Sequence, residues 1–185
     1  MSDRALAETR AWVEQAVIGL NLCPFAKAPQ NKGQVRYVLS EAREPQALLA
    51  ALVDELNLLA GTPAERTETT LLVHPHVLED FADYNDFLGV AEEAVAELGL
   101  EGVIQVASFH PHYQFADSAA DDVTNATNRS PWPTLHLLRE ASVARAVAAF
   151  PEAEAIFEAN MATMRRLGSE GWEALQRQWR EPERS

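Results

Sequence analysis

Thr69-Thr70-Leu71-Leu72-Val73-His74-Pro75 is the stretch on which the fold turns. A continuous apolar run of this length reads as a short strand covered on both faces. The segment Val103-Ile-Gln-Val-Ala-Ser-Phe109 is a second nearly apolar run, and it too ends in His-Pro, at His110-Pro111. Between the two lies a helix over 80–98, with Phe81, Phe87, Ala91, Ala94, Val95 and Leu98 along one side and Gly99 as its stop. Upstream, Pro45 suits the first turn of a helix that carries Leu48, Leu49, Leu52, Val53, Leu56 and Leu59 and ends at Gly61. Residues 35–40, Val-Arg-Tyr-Val-Leu-Ser, alternate as a half-buried strand. Residues 3–19 form an amphipathic helix with Leu6, Trp12, Val13, Ala16 and Val17 on its stripe, closed by Gly19 and Pro24.

The order helix, strand, helix, strand, helix, strand predicts crossover connections and a parallel core. A connection from about His110 to Thr134 follows. Connections that long are usually functional or disordered, and Tyr113, Phe115 and Trp132 argue against disorder. Beyond it the chain reads as helical: about 135–149, then a helix opened by Pro151 and stopped near Gly168, then 170–180, with the last five residues fraying. The expectation is a single α/β domain over 1–185, with a small mainly parallel sheet and a helical C-terminal third. Its sheet-and-helix core covers about 1–115, the long functional loop about 110–134 and the helical part about 135–180. The alternative is an α+β, ferredoxin-like arrangement in which His110–Phe115 turns back as an added strand.

Of the 185 residues, 47% are hydrophobic and 23% charged, an ordinary balance for a globular chain that buries its own core. Lys and Arg number 15 against 28 Asp and Glu, for a formal net charge of −13. Only Lys27 and Lys32 are lysines, and no basic residue lies between Arg66 and Arg129. That makes nucleic acid and anionic membranes poor partners. No apolar run approaches a membrane span. The first residues lack the layout of a secretory signal, and the single cysteine, Cys23, fits a reducing compartment. A cytoplasmic location is expected.

The five histidines are the most informative residues. His74-Pro75-His76 and His110-Pro111-His112 each follow a predicted strand, and His136 stands where a helix is predicted to begin. If the two strands are parallel, both triplets leave the sheet at its carboxyl edge, where open α/β sheets bind ligands. Three imidazoles with an open coordination position would suit a catalytic zinc or a non-haem iron, with His74, His110 and His136 as ligands. Metal-free acid–base work and a purely structural role as polar strand ends are the alternatives.

A second group surrounds Asn125–Glu140. Arg129 and Arg139, with Asn128, stand in a run without any acid from Val123 through Arg139, and Thr134 would cap the predicted helix. That combination suits a carboxylate or phosphate. A third is Cys23, in a run without acids from Gln15 through Ser40 that holds Lys27, Lys32 and Arg36, a setting that lowers a thiol pKa. In a fourth, Asp83 and Asp86 share a helical face, with Asp80 as a candidate cap. Gly-rich phosphate loops are absent, so no nucleotide cofactor is expected.

Asn-Leu-Cys-Pro-Phe-Ala at 21–26, Thr-Thr-Leu-Leu-Val-His-Pro at 69–75, Asp-Tyr-Asn-Asp-Phe-Leu at 83–88, Gln-Val-Ala-Ser-Phe-His-Pro at 105–111 and Thr-Asn-Arg-Ser-Pro-Trp-Pro-Thr-Leu-His-Leu-Leu-Arg-Glu at 127–140 together resemble a bacterial family known only as domain of unknown function 1415. The resemblance spans roughly residues 8 to 175. It implies membership without an activity. It is closer at His74, His110 and His136 than at His76 and His112, which favours a three-histidine centre. The expected function is an enzyme acting on a small anionic metabolite. His74, His110 and His136 would hold zinc or iron or share acid–base work, Arg129, Arg139 and Asn128 would orient the anion, and Cys23 would close the site. The expected reaction is hydrolysis, while oxygen chemistry at a non-haem iron, as in an oxidoreductase, fits the same residues. A thiol enzyme centred on Cys23 and a non-catalytic small-anion-binding protein are the alternatives.

Overall fold

The computed structural model describes residues 2–150, 152 and 154–180. At its centre is one sheet of four strands, β1 (Val35–Leu39), β2 (Thr69–Val73), β3 (Ile104–Phe109) and β4 (Thr134–Arg139), in the order β1-β2-β4-β3. β1 and β2 are parallel, and β4 is antiparallel to both β2 and β3. Because β4 opposes both neighbours, β1, β2 and β3 run the same way. The α/β class and the polarity of the first three strands therefore stand as expected. The pairing is mixed, with one parallel ladder and two antiparallel ones, because β4 fills the space between β2 and β3.

β4 corrects the sequence reading. Residues 134–139 were expected to open a helix and instead form a central strand, so the helix that follows, α5, spans only Glu140–Ala149. Leucine and arginine favour helix in isolation. Here Leu135 and Leu137 bury on one face of the sheet while His136 and Leu138 look to the other, and a strand covered on both faces needs no alternation of polarity. The added strand of the α+β alternative is thus Thr134–Arg139, not His110–Phe115.

One face of the sheet is covered by α3 (Pro45–Ala60) and α4 (Phe81–Glu97). Leu48, Leu52, Leu56 and Leu59 of α3 meet Tyr84, Phe87, Ala91 and Val95 of α4 over Leu72, Ile104, Leu135 and Leu137. The Asp80 carboxylate caps α4, accepting from the N–H groups of Ala82 at 2.9 Å and Asp83 at 3.2 Å. The other face is covered by α1 (Ser2–Trp12), which continues as a wider π-helical stretch, Val13–Ile18, and by α6 (Ala155–Arg180). The π-helical stretch stops at Gly19, where a Cβ would collide with the Gln15 carbonyl. α6 is broken at Gly168, whose φ of +69° favours glycine. Trp172 and Trp179 beyond the break pack edge-on at 5.4 Å in the same core as Trp12. A short helix, α2 (Lys27–Asn31), precedes β1. Pro151 and residues 181–185, expected as a helix start and a frayed end, lie outside the described residues.

Tyr84, a residue that the sequence reading did not single out, ties the sheet together at the carboxyl ends of β2 and β3. It is fully buried, its hydroxyl donates to the Thr134 carbonyl at 2.7 Å, and the Phe109 N–H donates to it at 3.0 Å. One phenol thus joins the end of β3 to the start of β4. Tyr84→Phe strands a buried carbonyl and a buried N–H, and we expect a loss of about 2 kcal/mol in urea unfolding. An unchanged midpoint would show that neighbouring water serves these groups equally well.

Candidate functional site

Strand polarity brings His74 and His110 to the same edge, as the triplets implied. Both pack on the Tyr84 ring, with centroids 5.8 and 4.9 Å away. Three of their four nitrogens are committed to backbone. The Val77 carbonyl can only accept, so His74 Nδ1 donates to it at 3.0 Å. His110 Nε2 donates to the Leu78 carbonyl at 3.0 Å, and its Nδ1 accepts from the His112 N–H at 3.0 Å. The segment they hold is strained: Leu78 sits at φ +59°. Burial keeps both imidazoles neutral, lowering His74 to about 4 and His110 below its ordinary value. His74 Nε2 is buried without a partner among the described residues. At this edge a hollow of about 300 Å³ is bordered by His76, His112, Glu79 and Trp132 rather than by His74 and His110.

His136 does not join them. On β4 it stands opposite Leu71 of β2 and Ala107 of β3, on the face turned toward α1. Val73 and Phe109 pair with Thr134, and the next residues, His74 and His110, fall on the α4 face. The sheet itself separates the three imidazoles, so the expected three-histidine centre is not assembled. Among the described residues there is no group of three or more His, Cys, Asp or Glu placed to hold a metal ion.

The polar residues of the long connection are likewise engaged by main chain. Arg129 donates through Nε to the Tyr113 carbonyl at 3.0 Å and through its terminal nitrogen to Ala120 at 2.8 Å. Asn128 donates to the Ser108 carbonyl at 3.1 Å. Asn125, fully buried, accepts from the Phe115 N–H and the Ser118 hydroxyl and donates to the Ala119 carbonyl. Trp132 donates through its indole N–H to Glu8 at 2.7 Å, and Arg4 pairs with the other oxygen of that buried carboxylate. Arg139 reaches the carbonyls of Thr62 and Thr67 at 2.6 and 2.7 Å. Since β4 is a strand, His136 and Arg139 do not share a helical face and Thr134 caps no helix, so the expected anion site on a helix N-terminus is not formed. Asp83 and Asp86 are exposed.

A larger cavity lies instead on the face of His136, and sequence reasoning did not find it. It has a volume of about 500 Å³. Two cross-strand rows floor it: Val35, Thr69, Leu138 and Gln105 in one, and Leu71, His136 and Ala107 in the next, with Phe109 beyond. Val13 and Val17 of the π-helical stretch, the Cys23–Pro29 segment and Ser142–Ala146 of α5 wall it in. α5 carries no buried residue. His136 Nε2 lies 2.7 Å from the Thr69 hydroxyl. Burial lowers His136 to about 4, so it is neutral near pH 7. Cys23 also faces the cavity, but burial raises its thiol, and the N–H groups of Phe25 and Ala26 only partly offset this. Arg36, expected to activate it, forks onto Glu55 at 3.1 and 3.2 Å. No hydrogen bond joins Cys23 to His136 among the described residues.

The architecture is thus a mixed sheet clad by helices on both faces, with an apolar cavity under α5. The chain belongs to the family described as protein of unknown function (DUF1415), whose model matches residues 4–174 of the 185. No curated protein and no solved structure matches it. Among the described residues no helix is long and apolar enough to cross a membrane.

His74 and His136 near 4 set the acid response. In the native state both stay neutral through the window from the ordinary histidine value of 6.5 down to about 4, while the unfolded chain takes up protons there. Their contribution to stability is therefore complete above pH 6.5 and is lost as pH falls toward 4, by up to roughly 3 kcal/mol per imidazole. Imidazole NMR titrations should place both midpoints below pH 5. Midpoints near 6.5 would show the rings to be solvated.

Proposed function

We propose that this chain binds a compact, largely apolar molecule in the cavity beneath α5, and that His136 is the group that engages it, as hydrogen-bond acceptor. One observation carries this: a cavity with mostly apolar walls holds a single, neutral, half-buried imidazole. A volume of about 500 Å³ falls within the usual range for small-molecule sites. Arg145 stands at the rim, its guanidinium held among the described residues only to the Ser142 hydroxyl at 3.1 Å, and offers a charge to an acidic end group. The anionic character expected of the ligand is kept in that form. No residue of α5 is fully buried, so this wall moves at low cost to admit a molecule.

The chemistry such a site suits is acceptance of a hydrogen bond from a hydroxyl: the imidazole is neutral near pH 7, and a value lowered to about 4 makes it a weak base for abstracting a proton. Of the three histidines first singled out, only His136 has a part in this reading, and zinc or iron has none. Cys23 contributes apolar wall rather than a thiolate.

N-phenyl-1-naphthylamine, whose fluorescence rises on leaving water, tests the proposal. Saturable one-to-one binding is expected, with a blue shift. Ala107 neighbours His136 across the ladder, so Ala107→Phe fills the space, and affinity should fall by about tenfold or more while the protein remains folded. Absence of saturation up to the millimolar range, or equal binding by a folded Ala107→Phe protein, would refute the proposal.

A further inference from the structure

The arrangement around His136 bears on which molecules the cavity accepts, and the step rests on the reading of the cavity as the binding site. Thr69 begins β2, two residues before Leu71, so its side chain lies on the His136 face. Its hydroxyl oxygen is 2.6 Å from the Leu137 carbonyl oxygen and 2.7 Å from His136 Nε2. A carbonyl only accepts, and a hydroxyl has one proton. That proton goes to Leu137, so the threonine oxygen is left as an acceptor for His136. Nε2 therefore carries the imidazole hydrogen. The opposite assignment would set two acceptors, Nε2 and the Leu137 oxygen, against one proton.

A neutral imidazole has a single N–H, so Nδ1 holds the lone pair. Nδ1 has no hydrogen-bond partner among the described residues, and it is not among the sealed atoms of the core. Leu71 and Ala107, which pair with His136 across the ladder, and Phe109, whose ring lies 5.9 Å from the imidazole, offer no side-chain donor. We infer that Thr69 is a specificity-determining positioning residue: by locking His136 in the Nε2–H form it makes the cavity selective for apolar alcohols and phenols, which donate to Nδ1. The same skeleton with a methyl group in place of the hydroxyl is rejected, since it strands the lone pair against apolar walls. An ionised carboxylate only accepts, so it is excluded from Nδ1 and meets its cation at the rim, in Arg145.

Two measurements test the inference. Long-range ¹⁵N–¹H NMR of the wild-type protein at pH 7 should show His136 Nε2 protonated and Nδ1 unprotonated, Thr69→Val should shift the two nitrogens toward a mixture, and Thr69→Ser should restore the wild-type pattern. NMR titrations with naphthalen-2-ol and 2-methylnaphthalene, a pair of matched shape, should show a preference for the alcohol of about tenfold or more, which Thr69→Val reduces to within about twofold and Thr69→Ser recovers. A protonated Nδ1 in the wild type overturns the inference, as does a preference that survives in folded Thr69→Val. Equal binding of the two probes overturns the inference and leaves the cavity reading standing. If neither binds, the cavity reading falls with the ligand preference built on it, and the nitrogen shifts alone decide whether Thr69 sets the tautomer.

Discussion

The insertion of β4 between β2 and β3 is the constraint on which the rest of the molecule depends. Without it, β2 and β3 would each present an open row of backbone donors and acceptors, a state that proteins cover or pair. With it, both rows are paired, and Leu135 and Leu137 complete the core under α3 and α4. The same insertion sets the chemistry. A strand alternates its side chains, so the residues that bury Leu135 and Leu137 on one side must send His136 and Leu138 to the other. The separation of His136 from His74 and His110 is a consequence of register, and no rotamer change would reunite them. The Tyr84 hydroxyl, shared between the Thr134 carbonyl and the Phe109 N–H, anchors that register at the carboxyl end.

Most of the residues that look catalytic are occupied with main chain. The connection from β3 to β4 satisfies part of its own peptide groups through a short 3₁₀ turn, Val123–Asn128, and through isolated turns in which the Tyr113, Ser118 and Asp122 N–H groups donate to the His110, Phe115 and Ala119 carbonyls. Its remaining carbonyls and N–H groups must find partners, and buried ones left alone would each cost as much as a lost hydrogen bond. Asn125, Asn128 and Arg129 supply those partners, and Glu8 reaches over from α1 to hold Trp132. His74 and His110 do the same for the turn at Val77 and Leu78. Polar residues gathered along a long connection are thus explained by the order of that connection.

What was legible in the sequence was what repeats. The leucines of α3 and the apolar positions of α4 recur at helical spacing, and the stretches at 69–73 and 104–109 are short apolar runs, so their types and the shared polarity of β2 and β3 followed. β4 was not legible: Leu-His-Leu-Leu-Arg has helix-forming composition and no alternation, and only its place between two strands makes it extended. Tyr84 was hidden for another reason. On α4 it looks like one more apolar position, and the importance of its hydroxyl exists only once the ends of β3 and β4 lie beside it. The chemical identity of His136 was readable, but its face of the sheet was not.

The cavity was the least legible feature, because it is made by what is missing. On this face the bulky side chains pack with one another: Trp12 lies edge-on to Phe109 at 5.1 Å, and Trp172 to Trp179 at 5.4 Å. Val35, Thr69 and Ala107 leave the floor beside them low, and the π-helical stretch and α5 pass over it without filling it. Nothing in a valine, a threonine or an alanine on a strand announces a void. Yet an unfilled space beside a well-packed core forgoes burial and dispersion that one larger side chain at position 107 would recover. A fold under pressure for stability alone would close it. That it stays open around a neutral imidazole whose Nε2 is already engaged is the strongest reason to read this face, rather than the histidine-rich carboxyl edge, as the working surface of the protein.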